Sequence, residues 1–252
     1  MPLMDEFKEE RARMKERPFK DRFQYFLDYY KWHVVIIACV LYFIGSMAYN
    51  IITAKDTALR VALIDCNSNE ATVQEYNNEI IEHLNINPKT HQIFLDNSYF
   101  LSGLDTMSGS SAEVLSVHIM AQEIDVFLSP EDVFNRYVQN GIFHDLRTIL
   151  PEEYLEYYKD SFYYVEQSVI DDEEIYNIDH AETPFVDNAD HSAPETMENP
   201  IPVGIYVTGC EDFQGHYYFQ RETQEVVFGL LGNVTDPTYA IQFLDIMVGR
   251  AE

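Results

Sequence analysis

The apolar and polar positions fall into three regimes along the chain. Residues 5–31 are rich in charge, and Pro18 is their one break, which predicts a helix to about Arg17 and a second from about Phe19. Phe19, Phe23, Phe26, Leu27 and Tyr30 lie near helical spacing on that second helix. From Trp32 to Ala54 there is no Asp, Glu, Lys or Arg, and the apolar stretch is long enough to cross a bilayer core of about 30 Å. Beyond residue 55 the pattern alternates between short apolar runs and amphipathic stretches.

That third regime predicts a strand at Leu59–Ile64 ending at Asp65. A helix follows with Val73, Tyr76, Ile80, Ile81 and Leu84 on one face, and then a strand at His91–Leu95. LDNSYFLSG reads as a loop. Ser110 with Glu113 has the form of a capping box for a helix through about Gln122, apolar on most sides and so expected to be buried. Ile124–Leu128 predicts a third strand. Ser129 reads as the cap of the next helix, with Pro130 as its first residue and Gly141 at its end. Pro151 opens a short helix carrying Tyr154, Leu155 and Tyr158. This β-α-β-α-β-α order argues for an α/β fold with a mostly parallel sheet flanked by helices. SFYYVEQSVI then alternates as a strand, with DDEE at 171–174 suggesting a hairpin or a weak calcium site. Residues 179–200 read as an acidic loop. Strands at Pro202–Val207 and Val226–Leu231 and a helix capped by Asp236-Pro237 complete the chain.

Charge sets the orientation. Residues 1–54 hold eight basic and seven acidic residues, whereas residues 55–252 hold eight basic and 36 acidic, a net of −28. Basic residues resist translocation, and Tyr29, Tyr30 and Trp32 suit an interfacial belt. The domains are therefore a cytoplasmic segment (1–32), a transmembrane helix (33–54) and an extracytoplasmic α/β domain (55–252) in the cell membrane. Three other readings compete for the apolar stretch: a lipobox at Ile36–Cys39, a cleavage site at Ser46-Met47-Ala48, and a buried core helix. The acidity excludes nucleic acid as a partner. Cys66 and Cys210 are either a disulfide pair or small core residues.

The segments LRVALID (Leu59–Asp65), AEVLSVHIMAQEIDVFLSPEDVFNRYVQNGIFHDL (Ala112–Leu146), PVGIYVTG (Pro202–Gly209) and VVFGLLGNVTDPTYAIQFLDIMV (Val226–Val248) resemble extracellular solute-binding proteins of the periplasmic type 2 class. The likeness implies a solute-binding-like lobe. About 40 residues between Asp160 and Ile201 leave a second lobe reduced or absent.

Ligands of open parallel sheets sit beyond the carboxyl ends of the strands. That rule nominates Asp65, Asn67, Ser68, Asn97, Ser98, Tyr99 and Ser129 as ligand-binding residues, with helix capping as the competing role of Ser68 and Ser129. His180, Asp187, Asp190 and His191 have the chemistry of metal ligands but match no closed spacing, so no cofactor is expected. No GxSxG, P-loop or GxGxxG motif follows a strand, so no enzyme is expected. The expected role is a non-enzymatic binding or accessory subunit of a transporter or sensor, with a small solute or another membrane protein as partner. The alternatives are an interaction module that has lost its cleft and, more distantly, a metal-dependent hydrolase using the 180–191 loop.

Overall fold

The computed structural model describes residues 18–102, 106–171, 189–207, 210–219 and 225–250. The expected helix before Arg17, most of the DDEE hairpin, the 179–188 part of the acidic loop and the side chains of the Phe19–Tyr30 stripe lie outside the description. Two compact units divide at Ala54.

The first unit is the helix α1 (Phe19–Thr53), which begins directly after Pro18, as the fixed φ of proline predicts. Its Trp32–Thr53 stretch is long and apolar enough to cross a membrane, and none of it is buried within the described structure.

The second unit is α/β. Its elements are β1 (Asp56–Ile64), β2 (Cys66–Ser68), α2 (Val73–His83), β3 (His91–Tyr99), α3 (Thr106–Met120), β4 (Val126–Pro130), α4 (Glu131–Val138), α5 (Leu146–Ile149), α6 (Glu152–Tyr157), β5 (Phe162–Glu166), α7 (Gln167–Asp171), β6 (Pro200–Tyr206), α8 (Glu211–His216), β7 (Tyr217–Phe219), β8 (Val226–Leu230) and α9 (Thr238–Met247). Six strands form one sheet in the order β3-β1-β4-β8-β6-β5, while β2 and β7 form a separate antiparallel ribbon. Only the β3-β1 and β1-β4 pairs are parallel. The pairs β4-β8, β8-β6 and β6-β5 are antiparallel. The mostly parallel sheet expected from the early alternation is therefore corrected to a mixed one, because β5, β6 and β8 return along the sheet without parallel crossovers. Among the described residues of this unit there is one large sheet.

Helices cover both faces. On one, Leu59, Val61 and Leu63 pack with Tyr76 and Ile80 of α2 and with Ile241, Phe243 and Leu244 of α9. On the other, Ala62, Ile64 and Phe127 pack with Leu115 of α3 and with Val133, Phe134 and Val138 of α4. A row across the second face fixes its packing. Gly229 stands opposite Phe127, and the register of Ile205 with Phe228 sets Gly204 beside Gly229 and next to Tyr163. The Phe134 ring lies over this glycine pair, stacked 4.4 Å from Phe143 and edge-on to Tyr163. A Cβ on Gly229 would come within 2.7 Å of the Phe134 ring, and one on Gly204 within 2.6 Å of Val227.

Several boundaries differ from the sequence reading. β3 runs on through the expected LDNSYFLSG loop to Tyr99. α3 starts at Thr106, which leaves Ser110 and Glu113 inside the helix rather than capping it. Ser129 and Pro130 end β4, and Ser129 Oγ donates to Pro130 O (3.1 Å), so Ser129 is not the cap of α4. Residues QSVI, read as strand, form α7. By contrast, Gly141 takes φ 60° beyond α4, and Asp236 Oδ1 accepts from the Thr238 amide (3.0 Å) and hydroxyl (2.6 Å) at the start of α9.

Candidate functional site

The carboxyl ends of β1 and β3 meet at Asp65. Its backbone takes φ 53°, and its amide donates to Tyr99 O (2.8 Å). That turn points the carboxylate inward, where it is 2% exposed. Oδ1 accepts from the amides of Leu101 (2.6 Å) and Ser102 (3.1 Å), and Oδ2 accepts from the Ser102 hydroxyl. Asp65 therefore ties the end of β1 to the chain leaving β3.

The remaining rim residues are also engaged within the chain. Asn67 and Ser68 belong to β2, in register with Tyr218 and Tyr217 of β7. Asn97 Nδ2 donates to Ser68 Oγ (3.3 Å), and the Ser98 amide donates to Asp96 Oδ1 (3.0 Å). Tyr99 is buried, and burial, with the Asp96 carboxylate, pushes its hydroxyl pKa up. Ser129 is fully buried in β4. The structure thus gathers Asp65, Ser68, Asn97 and Tyr99 at one end of the sheet, and there they bond to one another's segments.

The β2-β7 ribbon has a dry side. Tyr76 stacks on His216 at 4.3 Å, and Phe213 stacks on Tyr217 at 5.4 Å. The Tyr217 hydroxyl donates to Asn77 Oδ1 (3.0 Å). Cys66 and Cys210 belong to the same core cluster, and both thiols are free. Burial pushes the Cys66 thiol up to about 12 and that of Cys210 up to about 11. Such thiols stay protonated and unreactive at neutral pH. The chemistry here is that of a core.

Of the metal candidates, His180 and Asp187 lie outside the described residues. His191 is 3% exposed, with Nδ1 2.7 Å from Tyr164 O and its ring stacked 4.3 Å from Tyr163. Asp190 Oδ1 accepts from the amide and hydroxyl of Ser192, which hold its carboxyl below the usual range. Among the described residues no three His, Cys, Asp or Glu side chains gather as a metal site would require. Asp190 fixes the turn at the start of the 189–199 loop through Ser192, and His191 holds that turn against β5.

Two surface features escaped the sequence reading. The first is α3, expected to be buried. From Val114 to Ala121 its exposed residues are Val114, Val117, Met120 and Ala121, all apolar, with Val117 57% and Met120 68% accessible. Phe94, on edge strand β3, is 47% accessible, and the Arg60 guanidinium lies 5.3 Å from its ring. Arg60 Nη1 donates to Glu123 Oε2 (2.8 Å) and lies 3.5 Å from His118 Nδ1, which joins Phe94 to the last turn of α3. The second feature is Arg250, whose guanidinium sits 4.4 Å from the rings of both Tyr154 and Tyr157. It donates to Glu153 (2.5 Å), while the Tyr154 hydroxyl donates to Asp245 (2.5 Å), so this cage locks the end of α9 to α6. Tyr154 and Tyr157 lie at helical spacing on α6, but their partner is nearly a hundred residues away.

Comparison of the chain with protein-family models, with curated proteins and with solved structures finds no match.

Proposed function

We propose that this chain is a single-pass membrane protein, anchored by Trp32–Thr53 with its N-terminus in the cytoplasm. Residues 55–252 form an extracytoplasmic accessory domain that acts by contact rather than catalysis. The observation that carries the reading is the state of the sheet rim. Of the candidate groups, Asp65 accepts from the chain's own amides, Asn97 bonds to Ser68, Ser129 bonds to Pro130 O, and Tyr99 and Ser129 are buried. A solute would have to replace those bonds, and a buried carboxylate bonded to two amides and a hydroxyl gives them up only at a cost of several kcal/mol. The contact role belongs to the apolar surface left open on α3, since exposed apolar stripes on a strongly acidic domain mark interaction sites. A transporter or sensor in the same membrane is the partner class.

The test is thermal unfolding of the full chain in detergent micelles against sugars, amino acids, short peptides and divalent metals, with and without chelator. A ligand at about 100 times its Kd adds roughly 2.7 kcal/mol, a shift of several degrees for a domain of this size. The expected result is a flat response throughout. A shift with one solute class would restore solute capture, and a chelator-sensitive shift would restore the metal reading.

A further inference from the structure

We infer that α1 pairs with the α1 of a second copy of this chain inside the bilayer, along a polar seam; the inference rests on the anchoring proposed above. Within Trp32–Thr53, the residues Val35, Cys39, Tyr42, Ser46, Tyr49 and Thr53 follow one another at steps of four and three. That is the heptad spacing of helices that wind around each other, and it holds across the whole span. One seam position is small throughout (Cys39, Ser46, Thr53), and the other is bulkier (Val35, Tyr42, Tyr49). Ala38 and Gly45 sit beside the tyrosines on the helix surface, and small residues there let a facing helix approach closely. The opposite side carries the aliphatic line Ile37, Ile44 and Ile51, which suits lipid.

Hydrogen-bonding groups run along the seam at depths where lipid offers them nothing. The Thr53 hydroxyl is satisfied by its own helix, donating to Tyr49 O (2.7 Å). Tyr42, Ser46 and Asn50 (which flanks the seam) are exposed, and their side chains have no hydrogen-bond partner among the described residues. The midpoint of Trp32–Thr53 falls between Tyr42 and Phe43. At about 1.5 Å per residue, Ser46 lies about 5 Å from that midpoint and Asn50 about 11 Å, both inside a half-thickness of about 15 Å. An unsatisfied polar group in hydrocarbon is costly, and a neighbouring helix is what can satisfy it there.

A second copy is the occupant that fits. Chains inserted by the same charge rule share one orientation, so parallel copies set each residue against its own like at the same depth. Hydroxyls and the Asn50 amide each donate and accept, so like groups match. The two helices then meet through the same patch, which closes the assembly as a dimer. Each copy also carries an exported domain of net charge −28, which opposes pairing. At physiological salt that repulsion is screened beyond roughly 8 Å, so it weakens the pair without forbidding it.

The experiment uses the full chain in phosphatidylcholine vesicles at high lipid dilution, oxidised with copper phenanthroline and run on a non-reducing gel. The native Cys39 is the reporter, since it is exposed on the seam and Cys66 and Cys210 are buried. A second chain, Cys39→Ala with Ile37→Cys, moves the thiol to the opposite side at nearly the same depth. A third keeps Cys39 and carries Tyr42→Phe, Ser46→Ala and Asn50→Leu. Retention of each chain through an alkaline carbonate wash reads the anchor separately. The expected result is a covalent dimer through Cys39 and little through position 37. In the third chain, pairing should weaken about threefold for each interhelical bond lost, read from dimer yield against dilution. Chains that stay in the vesicles but yield no dimer, or yield it equally from 39 and 37, overturn the pairing and leave the anchor standing. A yield that the triple substitution leaves unchanged also overturns it, because the polar groups would then not hold the copies together. Release by the carbonate wash overturns the anchor and the pairing with it.

Discussion

Asp65 sits in the left-handed region at φ 53°, a conformation that costs a non-glycine residue about 1 kcal/mol or more. Its carboxylate recovers that cost through Leu101 and Ser102. Asp65→Ala keeps the strain, removes the acceptor and leaves buried donors without a partner, so it should destabilise the chain by about 2–4 kcal/mol in urea unfolding. A ligand-binding aspartate at an open rim would leave stability nearly unchanged, and that outcome would return Asp65 to the candidate site. The sequence marked Asp65 correctly as the end of β1. It could not show where the carboxylate points, because its partners are 36 and 37 residues further on and no local pattern links them. The glycines of VGIY and FGLL show the same limit. They read as family-like strand residues, but their use is to seat Phe134. Gly229→Ala should cost about 1–3 kcal/mol by overpacking. Adding Phe134→Leu and Phe143→Leu together should be less than additive with it, since the clash is with those two stacked rings; strict additivity of the combination would refute the account.

At the level of elements, the strands and helices legible in the sequence were those with their own punctuation. β1, α2 and α9 carry alternation, helical spacing or a cap within their own residues. β2 and β7 are three residues each, and α5 is four, too short for any period to register. Strand direction was illegible for another reason. Alternation marks a strand and says nothing of its orientation, so β5, β6 and β8 could be placed as strands but not as antiparallel ones. α3 is the instructive failure. With apolar residues on nearly every side, its sequence does not say which side is covered, and tertiary position decides. Leu115 packs under the helix, whereas Val114 and Val117 face outward beside edge strand β3. Leu115→Ala should therefore cost about 2–5 kcal/mol. Val114→Ser and Val117→Ser should each stay within about 0.5 kcal/mol in detergent micelles, since both side chains are exposed. Equal losses on both faces in urea unfolding would mean that α3 is buried after all.

Across the whole molecule the buried thiols couple stability to alkali. An unfolded cysteine ionises near 9, whereas folding holds Cys66 up to about 12 and Cys210 up to about 11, in both cases through burial. Burial also takes Tyr137 up to about 12, and Tyr154 reaches about 12 through burial and its bond to Asp245. In each group the folded value is raised, so the unfolded chain holds fewer protons once the pH passes the unfolded value. Their contribution is complete below pH 9 and is lost as the pH climbs from about 9 towards 12. For Cys66 alone the loss is on the order of 4 kcal/mol across that window. Each thiolate or phenolate would also add to a domain that already carries a net charge of −28, and self-repulsion steepens the decline. Urea unfolding of the full chain in micelles at half-unit steps from pH 7 to 11 should show a plateau to about pH 9 and a fall beyond it. Cys66→Ala should flatten the slope while lowering the plateau. At pH 8 a water-soluble thiol reagent should leave Cys66 and Cys210 unmodified in the folded chain and modify both in urea, since both are buried. Reaction of Cys66 or Cys210 in the folded chain at the rate seen in urea would mean that the ribbon side of the core is open to water, and the argument that the rim is closed would fall with it.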